Sequence, residues 1–134
     1  MYAELHCLTH YSFLRGASAP EELVGRAANS GYHALAITDE CSLAGVVKAH
    51  VAAKERGLKL IVGSEFTLTE GIRLVALVPS REAYGELSGL ISRARRRSGK
   101  GEYRVHLRDV IFHLKRCLLI PVSYTHLRAH ETSG

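Results

Sequence analysis

Several things are missing from this chain, and each absence removes a class of protein. No C-x-x-C pair occurs. The three cysteines, Cys7, Cys41 and Cys117, are odd in number and widely scattered. That excludes a disulfide framework or a zinc knuckle as the organising principle. Buried, reduced thiols acting as small hydrophobes are expected instead. No apolar run approaches the roughly 20 residues that cross a bilayer. The opening residues, Met1 to His6, lack the basic start and apolar centre of a secretion signal. A cytoplasmic location with no membrane partner is therefore expected. Neither a G-x-x-x-x-G-K-[ST] phosphate loop nor a G-x-S-x-G nucleophile elbow is present. Internal repeats and low-complexity linkers are absent too, so one domain, or a piece of one, is the economical reading.

What is present is the balance of a globular protein, 46% hydrophobic and 23% charged over 134 residues. The net charge of +5 is local rather than general. Residues 93–108 hold Arg93, Arg95, Arg96, Arg97, Lys100, Arg104 and Arg108 against the single acid Glu102, while the rest of the chain is close to neutral. Arg95, Arg96 and Arg97 are candidates for contact with DNA phosphates. The competing reading, which the pattern favours, is a solvated helix end where cations meet the negative pole of the dipole.

The periodicity alternates strand and helix. Tyr2 to Cys7 reads as a strand. Ser18 with Glu21 and Pro20 reads as a helix start, Leu23, Val24, Ala27 and Ala28 as its apolar face, and Gly31 as its stop. Residues 34–38 form an apolar run suited to a strand covered on both faces. A second helix fits residues 42–56, with Leu43, Val46, Val47, Ala49, Val51 and Ala52 apolar and Gly57 ending it. Residues 58–62 and 64–68 read as a strand interrupted by Gly63. Glu70-Gly71 reads as a turn, and 72–78 as another strand. Ser80 then caps a third helix with Tyr84, Leu87, Leu90 and Ile91 inward, and residues 118–120 begin one more strand. The order β-α-β-α-β-β-α, followed by β, implies an α/β fold with right-handed βαβ units and a mainly parallel sheet.

In such folds functional groups gather at the carboxyl ends of the strands. His6, Asp39 and Glu65 take that place on three successive strands. One imidazole and two carboxylates on a common rim could bind a divalent metal. Each also has an ordinary structural reading: a hydrogen-bonded rim histidine, a helix cap and a solvated acid.

Three ordered blocks carry a resemblance. They are Leu5-His6-Cys7-Leu8-Thr9-His10-Tyr11-Ser12-Phe13-Leu14-Arg15-Gly16-Ala17, the run 34–45 around Thr38-Asp39-Glu40-Cys41-Ser42, and Ile61-Val62-Gly63-Ser64-Glu65-Phe66. Together they resemble the polymerase-and-histidinol-phosphatase (PHP) domain found at the amino terminus of bacterial C-family polymerase alpha subunits, and most closely its error-prone, translesion branch. The resemblance implies the first part of a distorted β/α barrel, incomplete within this chain, because a whole barrel takes about 250 residues. It also implies a full-length parent that is a DNA-directed DNA polymerase, a nucleotidyltransferase of DNA replication, repair and damage tolerance. The parent would use Mg and meet DNA and deoxynucleotides through domains outside this chain, with other translesion proteins as further partners.

Active members of the family bind up to three metals (Zn, Mn or Mg) and hydrolyse phosphoesters. Their first block reads H-x-H and their second Asp-His. Here His6, Asp39 and Glu65 match, Leu8 replaces the second histidine, and Glu40 replaces the third. His10 lies too far along the loop to be counted as a substitute. The site the resemblance implies is therefore degenerate: His6, Asp39 and Glu65, with Glu40 able to offer a further oxygen, could keep a residual divalent metal (Zn, Mn or Mg), but no catalytic residue is expected in the chain and the pocket is expected to serve structure. The alternatives are a metal-dependent phosphoesterase of the histidinol-phosphatase kind and a non-catalytic interaction module.

The last residues stand apart. Residues 122–132 resemble a translated transposase-type sequencing adapter. The expected division is a partial PHP domain over 1–121 and a non-native tail over 122–134, in which the His126 and His130 pair carries no meaning.

Overall fold

Proline at the first turn of a helix, with its fixed φ and missing N–H, starts the first helix one residue later than the Ser18 pattern suggests. In the computed structural model, which describes residues 3–7 as backbone and residues 19–124, β1 is Ala3–Cys7 and α1 is Pro20–Asn29. Ala19 is the residue before the helix. Glu22 rather than Glu21 reaches back, its carboxylate accepting from the Ala19 N–H at 3.1 Å. Ser18 lies outside the described residues. The helix stops where expected. Gly31 takes φ 80°, and the N–H groups of Gly31 and Tyr32 return to the carbonyls of Ala28 and Ala27. That crossed pair satisfies carbonyls that the helix end would otherwise leave open.

The chain falls into two compact units, residues 1–64 and 65–134. The first contains β1, α1, β2 (Ala34–Ile37), α2 (Val46–Arg56) and most of β3 (Lys59–Thr67). The strands β1, β2 and β3 pair in parallel, with Cys7 opposite Ile37 and Ile37 opposite Val62. All four β2 residues are buried, as an apolar run without alternation requires. Val24, Ala27, Leu35, Ile37, Ala49, Ala53 and Leu58 form the core of this unit. α2 departs from expectation at both its start and its face. It begins at Val46, not Ser42, and Val47 and Val51 are exposed while Ala49 and Ala53 are buried. Gly57, at φ 68°, ends it. β3 is one uninterrupted strand through Gly63.

The second unit continues β3 through Glu65, Phe66 and Thr67, then adds β4 (Ile72–Val78), α3 (Arg81–Arg96), α4 (Leu107–His113) and β5 (Leu118–Tyr124). Leu68 N–H bonds to the Ile72 carbonyl at 2.8 Å, and Gly71, at φ 92°, turns the chain at the expected place. β4 and β5 pair antiparallel. Ser80 caps α3 by accepting from the Ala83 N–H at 3.1 Å. Its buried stripe is Ala83, Leu87, Leu90 and Ala94. Tyr84, expected inward, is exposed because that stripe runs i, i+4, i+7, i+11 and leaves position 84 on its flank.

The observed order is thus β-α-β-α-β-β-α-α-β. The extra helix, α4, escaped the sequence reading because seven residues at the end of a basic stretch show too little periodicity. β5 carries on past Pro121 to Tyr124, so the expected 121/122 division falls inside a strand. Residues 125–134, including His126 and His130, lie outside the described residues.

Candidate functional site

The carboxyl end of β2 is built by a serine. Thr38 and Asp39 follow the strand as buried polar residues, and Ser64 is equally buried on β3. Its hydroxyl donates to the Asp39 carbonyl at 2.7 Å and accepts from the Ser42 N–H at 3.1 Å. Ser42 Oγ accepts in turn from the Ala44 N–H at 3.1 Å. These bonds hold residues 39–44 as a loop, which is why α2 starts late. Between them Cys41 takes φ 44°, a left-handed conformation that a non-glycine residue keeps only under surrounding constraint. Its thiol side is buried. Asp39 does not cap α2, because six residues separate it from Val46. Ser64→Ala removes both bonds from a dry place and is expected to cost roughly 1–3 kcal/mol in urea denaturation. A change below about 0.5 kcal/mol, the scatter of neutral surface substitutions, would sink this assignment.

Glu65 is fully buried, contrary to the solvated reading, and its partner is Arg73 on β4. Arg73 Nε donates to Glu65 Oε2 at 3.0 Å, and Nη2 donates to the same oxygen. The arginine keeps 21% of its side chain exposed, against none for the glutamate. A carboxylate taken wholly out of water is tolerated only when paired and hydrogen-bonded, and this one is.

His6 sits one residue before Cys7, at the carboxyl end of β1 and so at the same edge of the parallel strands as Asp39. Its side chain, and Leu8 and His10 entirely, lie outside the described residues. Glu40 is half-buried beside Asp39. Among the described residues, no group of three or more His, Cys, Asp or Glu side chains is placed to hold a metal ion.

Two of the three candidate arginines are engaged within the second unit. Arg95 lies over the Tyr103 ring, 5.2 Å from its centre, and donates to the Glu102 carbonyl at 3.2 Å. Arg97 forms an ion pair with Asp109 at 2.9 Å. Arg96 is exposed. Tyr103 in turn is tied to β3, its Oη accepting from the Thr67 N–H at 2.8 Å.

The β3–β4 turn is tied to the start of α4. Glu70 Oε1 accepts from the Leu107 N–H at 3.0 Å, Thr69 Oγ1 lies 2.7 Å from His106 Nδ1, and Asp109 accepts from the His106 N–H at 2.9 Å. Partial desolvation opposes the shift, yet the Leu107 amide, Thr69 and the charge of His106 hold Glu70 below the ordinary carboxylate range. Against the same desolvation, Arg97 and the His106 amide lower Asp109. Both groups have folded values below their unfolded ones, 4.5 and 3.8. Their contribution is therefore complete above those values and is lost as pH falls through the depressed folded ones. Hydrogen exchange of the α4 amides should show protection falling only below about pH 4. Unchanged protection down to pH 2 would contradict it.

Cys117 is inert. Burial, with Glu86 nearby, pushes its thiol up to about 11, and its Sγ lies 3.5 Å from the Ala83 carbonyl. Alkylation of Cys117 at pH 8 should run far slower than that of a free thiol, which mass spectrometry of the labelled peptide reads directly. Equal rates would refute the assignment.

Sequence reasoning missed Ser64, Arg73 and Glu70 as determinants. Only Arg73 left a signal, as the lone charge in the otherwise apolar strand 72–78.

Comparison with known proteins agrees with this architecture. The PHP domain family profile matches residues 4–127. "Error-prone DNA polymerase" of Saccharophagus degradans is 63% identical over 123 residues, covering 92% of this chain and 12% of that protein. The protein of the same name from Dechloromonas aromatica is 62% identical over 109 residues, covering 81% of this chain and 11% of that protein. The chain thus spans about an eighth of the length of the curated relatives it matches. Among solved structures, a protein assigned as a metal-dependent phosphoesterase from Bifidobacterium adolescentis superposes with a TM-score of 0.58 at 28% identity, covering 86% of this chain and 44% of that one. An amidohydrolase from Chromobacterium violaceum, with bound sulfate and no metal, gives 0.59 at 28% identity, covering 72% and 34%.

Proposed function

Because the chain belongs to the PHP domain family, we propose that it is the amino-terminal PHP domain of an error-prone DNA polymerase and contributes structure rather than chemistry. The observation that carries the reading is the identity of 54–63% with polymerases so named, over some nine-tenths of this chain in several of them. The parent performs template-directed nucleotidyl transfer in damage tolerance and repair, using Mg and deoxynucleotides at residues beyond this chain. Its location is the cytoplasm. No helix among the described residues is long and apolar enough to cross a membrane. Within the PHP domain the donor set fits a family metal poorly. Leu8 and Glu40 stand where active members carry histidines, and Glu65 is engaged by Arg73. Residues 122–134 are read as a non-native extension, which the genomic sequence beyond codon 121 tests.

Primer extension by the intact protein, on undamaged and abasic templates with Mg, tests the polymerase reading. Extension past the lesion is expected, with phosphate release from simple phosphoesters at the blank level. The second reading, a phosphoesterase, rests on the Bifidobacterium adolescentis structure. It would win if phosphate release appeared and Asp39→Asn abolished it. Arg96 and Arg97 are both exposed, Arg97 in its pair with Asp109, which leaves Arg96 as the candidate for DNA phosphate contact. Arg96→Glu is expected to leave the salt slope of DNA binding unchanged, in keeping with a solvated helix end.

A further inference from the structure

We infer that Arg73 is the resident cation of the Glu65 carboxylate, so that Glu65 acts as an internal acceptor of the β3–β4 hairpin and not as a metal ligand. The geometry carries this. Two N–H groups of one guanidinium converge on Glu65 Oε2, and the glutamate has no solvent exposure. The arginine is itself largely buried, in a strand whose following residues Leu74, Val75, Ala76 and Leu77 are all buried. Its backbone lies in register with Ser123 of β5. The pair is therefore built into the sheet and is not an incidental surface contact.

Charge argues the same way. A buried carboxylate needs a positive partner, and the guanidinium supplies one. A dication at the same oxygen would put a second cation against the first, where like charges repel strongly at reduced dielectric. Lysine or histidine could yield to a metal by losing a proton. Arginine cannot, because its guanidinium stays charged in proteins. A permanent cation has thus taken the role that the metal plays for this carboxylate in metal-binding members of the family. The inference deepens the reading of a non-catalytic PHP domain and rests on it for the question it answers.

The test uses the intact protein, dialysed against MnCl2 or ZnCl2, with metal content measured by mass spectrometry and stability of this domain by limited proteolysis. The variants are Glu65→Gln, Arg73→Met, Arg73→Lys and the double variant Glu65→Gln/Arg73→Met. Metal content is expected to be the same in wild type and Glu65→Gln. Arg73→Met strands the buried charge, so proteolytic susceptibility should rise by roughly a hundredfold or more. The double variant should recover most of that loss, because the stranded charge is gone. If Arg73→Met does not fold, Arg73→Lys, which keeps the charge, and the double variant still give the metal comparison. Loss of one metal equivalent on Glu65→Gln, or in the double variant, overturns the inference. So does strict additivity of the two substitutions. A failure of primer extension by the wild-type protein would sink the polymerase reading and leave this result untouched.

Discussion

Purified by itself at tens of micromolar, the 134-residue chain is expected to self-associate rather than run as a monomer. The cause is apolar surface in the second unit. Leu118, Leu119, Ile120 and Val122 of β5 are 37–58% exposed, and on α4 Ile111 and Phe112 are 64% and 67% exposed. Among the described residues β5 pairs only with β4, so its other edge offers unpaired backbone beside exposed aliphatic side chains. That combination is a template for strand addition. Replacing Ile120 and Val122 by lysine puts two charges on alternate positions of that edge and should return a monomer by light scattering. It should do so with little loss of helix signal, since neither side chain is buried. A monomeric wild-type chain with a sharp thermal transition would refute this account. Aggregation undiminished by the two lysines would move the cause elsewhere, to α4.

In that lysine background, Phe66→Ala is expected to cost about 3–5 kcal/mol. Phe66 is fully buried, and its ring packs T-shaped against that of Tyr103, with centroids 6.3 Å apart and planes at 71°. Tyr103 also receives the Thr67 N–H, so the same aromatic pair fixes the end of β3 and the loop after α3. Truncation would leave a cavity, remove the aromatic contact and loosen the site where Arg95 rests on Tyr103. Against a domain stability of about 5–15 kcal/mol, that is enough to populate unfolded chain at room temperature. Urea titration gives the number. A loss under about 1.5 kcal/mol would mean that neighbouring side chains collapse into the space and that the pair does not organise the region. Phe66→Leu, which keeps most of the volume, should lose about half as much.

The sequence alone determined the alternation of strands and helices, the caps at Ser80, Gly31 and Gly57, and the turn at Glu70-Gly71. These features follow from local rules: apolar period, a hydroxyl before a helix, a residue without Cβ where φ is positive. Asp39 was legible as the acid that follows a buried run, and Glu65 as an acid near the end of the next strand, for the same reason: each stands out from the apolar residues around it without reference to the rest of the chain. Local rules failed where distant residues compete. The start of α2 was misread because Ser64, 22 positions away, takes the Ser42 N–H that a helix would have left for solvent. The exposure of Val47 and Val51 was unreadable, since an apolar residue carries no mark of what covers it.

Glu65 shows the division most sharply. Its position near a strand end could be read from the residues around it. Its state could not: whether that carboxylate meets water, a metal or an arginine depends on which side chain a neighbouring strand delivers. Tertiary structure brings Arg73 there, eight residues on and across a turn, and the long-range pairing of a buried charge is a property no local pattern encodes.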